Sequence, residues 1–101
     1  MQTTVTKAGA TAVIKLAGRF DFNAHREFRT AYDPLVIDAG VSAVLVDFSD
    51  VDYLDSSALG MLLMLRDKLG GVNKEVTLAG VKGNVKQVLD IANFGKLFKI
   101  S

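Results

Sequence analysis

The chain has no cysteine, no tryptophan, one proline (Pro34) and one histidine (His25), and neither charge is in clear excess. Each scarcity removes a class of protein. Without cysteine there are no disulfides, thiolate zinc sites or cysteine nucleophiles. A lone histidine leaves little for a histidine metal site or a catalytic triad. Lys plus Arg is 12 and Asp plus Glu is 11, a formal net charge of +1. A protein that binds nucleic acid through phosphate contacts is far more basic than this. No apolar run reaches the roughly 18 residues that would suggest a membrane span. The start, MQTTVTKAGAT, lacks the apolar core of a signal peptide. The expectation is a soluble, cytoplasmic protein with no nucleic-acid partner and no membrane insertion.

What is present is core material: 50% hydrophobic and 23% charged residues over 101 positions. That length predicts a single domain over residues 1–101. Surface scaling gives roughly 5,500 Å² folded against roughly 15,700 Å² unfolded, so about 65% is buried. There is no internal repeat and no Pro/Ser-rich linker.

Apolar segments alternate in character along the chain. AVIKLA (residues 12–17) reads as a strand, with a weaker one before it around Val5. VSAVLVDF (41–48) is β-branched and nearly continuous in apolar character, the pattern of a strand buried on both faces. EVTLAGV (75–81) is a second such strand, and residues 97–100 form a short edge strand.

Helical patterns lie between the strands. Asn23 is the expected N-cap of a first helix, whose apolar positions Ala24, Phe28, Ala31, Tyr32, Leu35 and Ala39 trace one face. Pro34 is expected to kink or restart it with Asp33 as cap, and Gly40 to end it. A second helix over Ser57 to Leu69 is apolar almost all round, and its Met61, Leu62, Met64 and Leu65 are expected in the core. Gly70-Gly71 stops it. Gly60, costly inside a helix, implies close packing of that turn against the sheet. A third helix starts near Asn84 with Val85, Val88, Leu89 and Ala92 inward. Strands separated by single helices imply βαβ crossovers and a small α/β sandwich.

The informative stretch is Asp47 to Ser57, DFSDVDYLDSS, read as a turn between the VSAVLVDF strand and the second helix. Functional sites of open α/β sheets gather at such turns. Four aspartates fall in nine residues there, whereas residues 72–101 carry five lysines against Glu75 and Asp90. A calcium loop starting at Asp50 would need Gly where Asp55 stands and Glu where Met61 stands. A nucleophilic Ser56 or Ser57 would need a base, and His25 is the sole histidine. No phosphate-binding glycine motif occurs. Capping of the second helix accounts for Asp55-Ser56-Ser57 by itself. It is also compatible with a modified serine, because free amides and the helix dipole tolerate an added phosphate. His25 is expected to be an exposed helix residue.

Asp47 to Leu69, DFSDVDYLDSSALGMLLMLRDKL, resembles the signature of the STAS domain, in particular of stand-alone bacterial anti-sigma-factor antagonists. GRFD (18–21) resembles the family's turn between second strand and first helix, and VKQVLDIANFGKLFKI (85–100) its last helix and tail. D-S-S-x-L-G is the most specific part; Ala58 stands where many members have Gly.

That resemblance implies an α/β fold with a mixed four- to five-stranded sheet and helices mainly on one side. It implies partner switching: the unphosphorylated protein binds an anti-sigma factor that is a serine kinase, and the kinase phosphorylates the serine after the signature aspartate, Ser56. A PP2C-type serine phosphatase reverses this. The domain itself catalyses nothing and needs no metal or cofactor. YLDSSALGMLLMLRD and FGKLFKIS are similar to proteobacterial members in biofilm and motility switching, some of which engage a diguanylate cyclase. The expected partner surface comprises Asp21, Phe22, Asp52, Tyr53, Leu54, Asp55, Ser56 and Ser57. Two further readings are a STAS subunit of a lipid-transport ATPase complex and a nucleotide-binding domain. Neither has support in the residues, which include no membrane anchor and no phosphate loop.

Overall fold

Short apolar strands alternating with helices give β1 (Gln2–Ala8), β2 (Thr11–Phe20), α1 (His25–Ile37), β3 (Ala43–Leu54), α2 (Ser56–Gly70), β4 (Glu75–Ala79), α3 (Gly83–Ile91) and β5 (Lys99–Ile100). The computed structural model describes residues 1–101. The five strands form one sheet in sequence order; β1 is antiparallel to β2 and every other neighbouring pair is parallel. Each parallel crossover steps the same way across the sheet. Right-handed connections therefore put α1, α2 and α3 on one face.

Burial follows that face. Ala12, Ile14, Leu16 and Phe20 of β2 and Val44, Val46 and Phe48 of β3 are buried, while Val13, Leu45 and Asp47 between them are half-buried on the open side. The near-continuous apolar run of β3 is thus buried on one face, not on both. All 24 buried residues form one cluster and none is polar. An aromatic group anchors it: Phe20 lies 5.0 Å from Phe28 and 6.2 Å from Phe48, and Phe28 lies 5.3 Å from Tyr32, ring centre to ring centre. Burial raises the Tyr32 phenol above its ordinary pKa.

β3 runs on to Leu54, so most of the supposed turn is strand. Its pairing with β2 slips twice, between Lys15/Ala17 and between Gly18/Arg19. Each slip adds a residue to β3, and the buried positions become Val44, Val46, Phe48, Val51 and Leu54. Such bulges break the two-residue period by which a strand is recognised. Asp47 supports the first one, accepting from the Ser49 amide at 2.9 Å. β4 stops at Ala79, short of Val81. Gly80 there has φ +68°, and a Cβ would lie 2.8 Å from both Asp47 Oδ1 and Ser49 N.

Several helix expectations change in detail. Asp21, not Asn23, is the cap: its carboxylate accepts from the Asn23 amide at 3.0 Å and starts a 3-10 turn, Phe22–Ala24. Pro34 sits inside an unbroken α1 on its exposed side, so the lost hydrogen bond is to the solvent-facing turn at Thr30. Asp33 pairs instead with Arg29 (3.3 Å) and Lys68 (3.6 Å). The helix ends at Ile37, leaving Ala39 outside it and exposed. Of the third helix, Val85 and Leu89 are buried. At the carboxyl end Phe98 precedes the two-residue β5, is buried and stacks on Phe94 at 5.4 Å.

Candidate functional site

The ends of β2 and β3 lie side by side, with Phe20 opposite Leu54 in register. The Asp55 amide donates to the Phe20 carbonyl at 3.3 Å, which ties the two strand-to-helix turns together. The turn after β2 presents Asp21 and Phe22; the turn after β3 presents Asp55, Ser56 and Ser57. The sheet thus brings together at one end residues that are more than thirty positions apart in the sequence.

Asp55 is the N-cap of α2. Its backbone is extended and its carboxylate accepts from the Ala58 amide at 2.9 Å. Because Asp55 fills that role, neither serine hydroxyl is needed as a cap. Ser56 and Ser57, the first two residues of the helix, are both exposed. The helix begins one residue earlier than its pattern predicts. Amides in a first turn have no partner within the helix, so this end carries partial positive charge in front of Ser56.

The remaining expected site residues divide by exposure. Phe22 is 66% exposed, unusual for a phenylalanine at the head of a helix. Asp52 is exposed, and Asp21 is half-buried with Arg19 Nε 3.8 Å from its carboxylate. Tyr53 is half-buried with the Arg19 guanidinium 4.1 Å from its ring centre, a cation–π contact. Leu54 departs from expectation. It is buried beneath this surface, because the second bulge turns it into the core.

The acidic residues do not form one cluster. Asp50 pairs with Lys15 at 3.3 Å on the open face, and Asp47 is held by the first bulge. The Ser49 amide holds the Asp47 carboxyl below the usual carboxylate range, against opposing desolvation. No three acidic or histidine side chains converge as metal ligands. His25 lies exposed on α1.

The sequence pattern missed part of this surface. Gly60 is exposed, and a Cβ there would meet nothing within 4 Å, so close packing is not its reason. Leu63 is 36% and Met64 41% exposed, so Met64 stands outside the core that was expected to hold it. These residues follow Ser56 and Ser57 along one side of α2, where positions four and seven apart are neighbours. The signal was available. A helix that is apolar all round, packed on a sheet covered on one face, must leave some apolar residues outside.

A family model described as "Mlab, STAS domain" matches residues 3–99. The chain belongs to the STAS-domain family. A STAS-domain containing protein of Pseudomonas aeruginosa, PA14_20770, is 48% identical over 93 residues, covering 92% of this chain and 90% of that one. BtrV of Bordetella bronchiseptica, proposed by its name to be an anti-sigma factor antagonist, is 29% identical over 65 residues. That match covers 64% of this STAS domain and 56% of BtrV. Among solved structures, the anti-sigma factor antagonist SpoIIAA in its unphosphorylated form gives a TM-score of 0.77 at 21% identity, covering 99% of this chain and 87% of that one. The phosphorylated form, from Bacillus, gives 0.76 at 20%, covering 99% and 91%. The five-stranded mixed sheet with three helices is therefore the STAS fold. No helix is long and apolar enough to cross a membrane.

Proposed function

We propose that this STAS domain is an anti-sigma-factor antagonist that works by partner switching in the cytoplasm, and that Ser56 is its phosphate acceptor. The observation that carries this reading is the division of labour at the head of α2. Asp55 caps the helix, and the hydroxyl beside it is exposed and free for chemistry. A side chain at that point can gain a phosphate without costing the helix its cap. Partial positive charge at the helix start offsets part of the repulsion from Asp55.

Unphosphorylated, the surface around Phe22, Asp52, Tyr53, Ser56 and Ser57 docks an anti-sigma factor that is also a serine kinase. The exposed Leu63 and Met64 extend the apolar part of that surface, and Gly60 lets a partner approach the α2 backbone. Phosphorylation releases the partner, and a PP2C-type phosphatase restores binding. The domain is substrate and ligand, not catalyst. BtrV's proposed role supports this reading, as does a fold shared with SpoIIAA in both its phosphorylated and unphosphorylated forms. The alternative to an anti-sigma factor on this face is a diguanylate cyclase, with biofilm or motility as the output, which the resemblance of YLDSSALGMLLMLRD and FGKLFKIS to proteobacterial switches implies.

Incubation with the candidate kinase and ATP, followed by phosphopeptide mass spectrometry, tests the site. Phosphate on Ser56 is expected. Phosphate on Ser57 alone overturns the assignment.

A further inference from the structure

β1 is an edge of the sheet, and its outer side has no partner. Which of its backbone groups are free follows from its hairpin. Ala8 pairs with Thr11 across a two-residue loop, and Gly9 has φ +63°, as the first position of a type II′ turn requires. The pair that closes such a loop is hydrogen-bonded, and bonded pairs alternate along an antiparallel ladder. Gln2, Thr4, Thr6 and Ala8 therefore turn their N–H and C=O groups to β2. Thr3, Val5 and Lys7 turn theirs outward.

Exposed edges usually carry a device against pairing, such as a proline, a bulge, an unpaired lysine or a covering loop. β1 has neither a proline nor a bulge, and its seven residues pair with β2 without a slip. Its single charge, Lys7, is tied back to Asp38 of its own chain. The opposite edge, β5, is two residues long and offers little to pair with.

The side chains of Thr3, Val5 and Lys7 share the helix-covered face with Leu16, Ile14 and Ala12, their partners in register. Beneath them a groove of about 360 Å³ runs between β1 and α1, lined by Thr3, Val5, Arg26, Glu27, Thr30 and Ala31. Val5, 39% exposed, is an apolar side chain at its rim. The Thr3 hydroxyl is buried without a hydrogen-bond partner.

We infer that β1 is a self-association edge: two copies pair β1 with β1 antiparallel about a two-fold axis at Val5, joining their sheets into one. The register follows from the free groups. Centring on Val5 opposes Val5 to Val5 and Thr3 to Lys7, so all three outward-facing residues of each copy bond to the other. Any shift loses one of these pairs. In this register the two Lys7 side chains stand four residues apart, roughly 13 Å along the strands, more than a Debye length at physiological salt. Each stands opposite Thr3 of the other copy in register, while its ammonium stays with Asp38 of its own chain. The two Val5 side chains cover each other. An interface that repeats one patch on both subunits is the commonest way for identical chains to associate. None of these residues belongs to the docking surface around Ser56.

Sedimentation equilibrium from micromolar to millimolar chain is expected to show a reversible monomer–dimer equilibrium. Val5→Lys sets two ammonium groups directly opposite and lowers the association constant by about tenfold or more. Thr3→Glu, which faces Lys7 twice in the dimer, raises it. Val72→Lys adds the same charge at an exposed turn far from β1 and leaves it unchanged. Melting curves confirm that each variant folds. Hydrogen exchange reads the register: Thr3, Val5 and Lys7 amides gain protection as concentration rises, whereas Thr4 and Thr6, already bonded to β2, do not. A chain that stays monomeric to millimolar concentration overturns the inference, and so does a dimer that survives Val5→Lys with those three amides unprotected.

Discussion

Asp55 Oδ1 accepts a hydrogen bond from the Ala58 amide at 2.9 Å, and this one contact decides which residue near the head of α2 is structural and which is free. The helix start is fixed by a carboxylate outside the helix, and Ser56 is left with no structural duty. Asp55→Ala is therefore expected to destabilise the fold by about 0.5–2 kcal/mol, while Asp55→Asn or Asp55→Ser, which can still cap, recovers most of the loss. Ser56→Ala should cost far less. Urea melts of the four variants check this order.

The buried side of α2 gives the second expectation. Leu62 and Leu65 are fully buried, whereas Met64 is 41% exposed. Truncation of either leucine to alanine removes core contacts and leaves a cavity, at about 2–5 kcal/mol each. Against a total of about 5–15 kcal/mol that is a severe loss. Met64→Ala is expected to stay within about 0.5 kcal/mol of the parent. Equal losses at Met64 and Leu65 in chemical denaturation would mean that the helix is rotated.

The alternation of β2, the buried start of β3 and all three helices could be read from hydropathy, because one face of each element meets the core. What hydropathy could not show was where strand β3 ends. Val46, Phe48, Val51 and Leu54 are spaced two, three and three apart, and two bulges in the pairing with β2 create that spacing. Polar Asp50 and Asp52 between them then look like a turn, although they stand on the outer face of a strand. The candidate site was legible at Asp55 and Ser56, where capping chemistry is local. It was not legible at Leu54, whose orientation depends on pairing with a strand more than thirty residues away. Pro34 shows the same limit: a local rule breaks the helix, and the tertiary packing of Tyr32 and Leu35 carries it through.

Gly60 separates the cost of a residue from its use. It is exposed inside a helix, with open space where a Cβ would stand. Gly60→Ala is expected to raise stability by about 0.5–1 kcal/mol, because the unfolded chain loses freedom and the helix gains a better former. Gly60→Trp should leave the melting temperature close to the parent value while weakening binding of the proposed anti-sigma partner, measured by calorimetry. Unchanged partner affinity in the tryptophan variant would remove Gly60 from the docking surface.

Acid sensitivity follows from Asp47. Its carboxyl is held below its ordinary pKa, first by the Ser49 amide, and Asp38 is held low in the same sense by its hydrogen bond from Lys7. A carboxyl whose folded pKa is depressed contributes stability that is fully present above its unfolded pKa, about 3.9 for aspartate. That contribution is lost as pH falls through the folded value. Asp47→Asn is therefore expected to be less stable than the parent at neutral pH, with the gap closing in acid below the ordinary carboxylate range. Melting temperatures across the acid range check the sign; a gap that widens on acidification would refute it.

The functional expectation rests on the same helix head. A phosphate on Ser56 adds about two negative charges in front of free amides, so the fold tolerates it. A partner packed against Phe22, Ser56 and Ser57 must desolvate that charge as well as the neighbouring Asp55. A charge buried without compensation costs several kcal/mol, or several decades in affinity. Ser57 sits one residue further along α2, rotated by about 100°, so its phosphorylation would strike a different part of the surface. Ser56→Asp should therefore bind the proposed anti-sigma partner much more weakly than Ser56→Ala, with both melting close to the parent. Titration calorimetry with the proposed partner kinase measures the difference. If the aspartate and alanine variants bind equally, charge at this position is not the switch; if Ser56→Asp melts far below Ser56→Ala, release works by unfolding α2 rather than by repulsion at an intact surface.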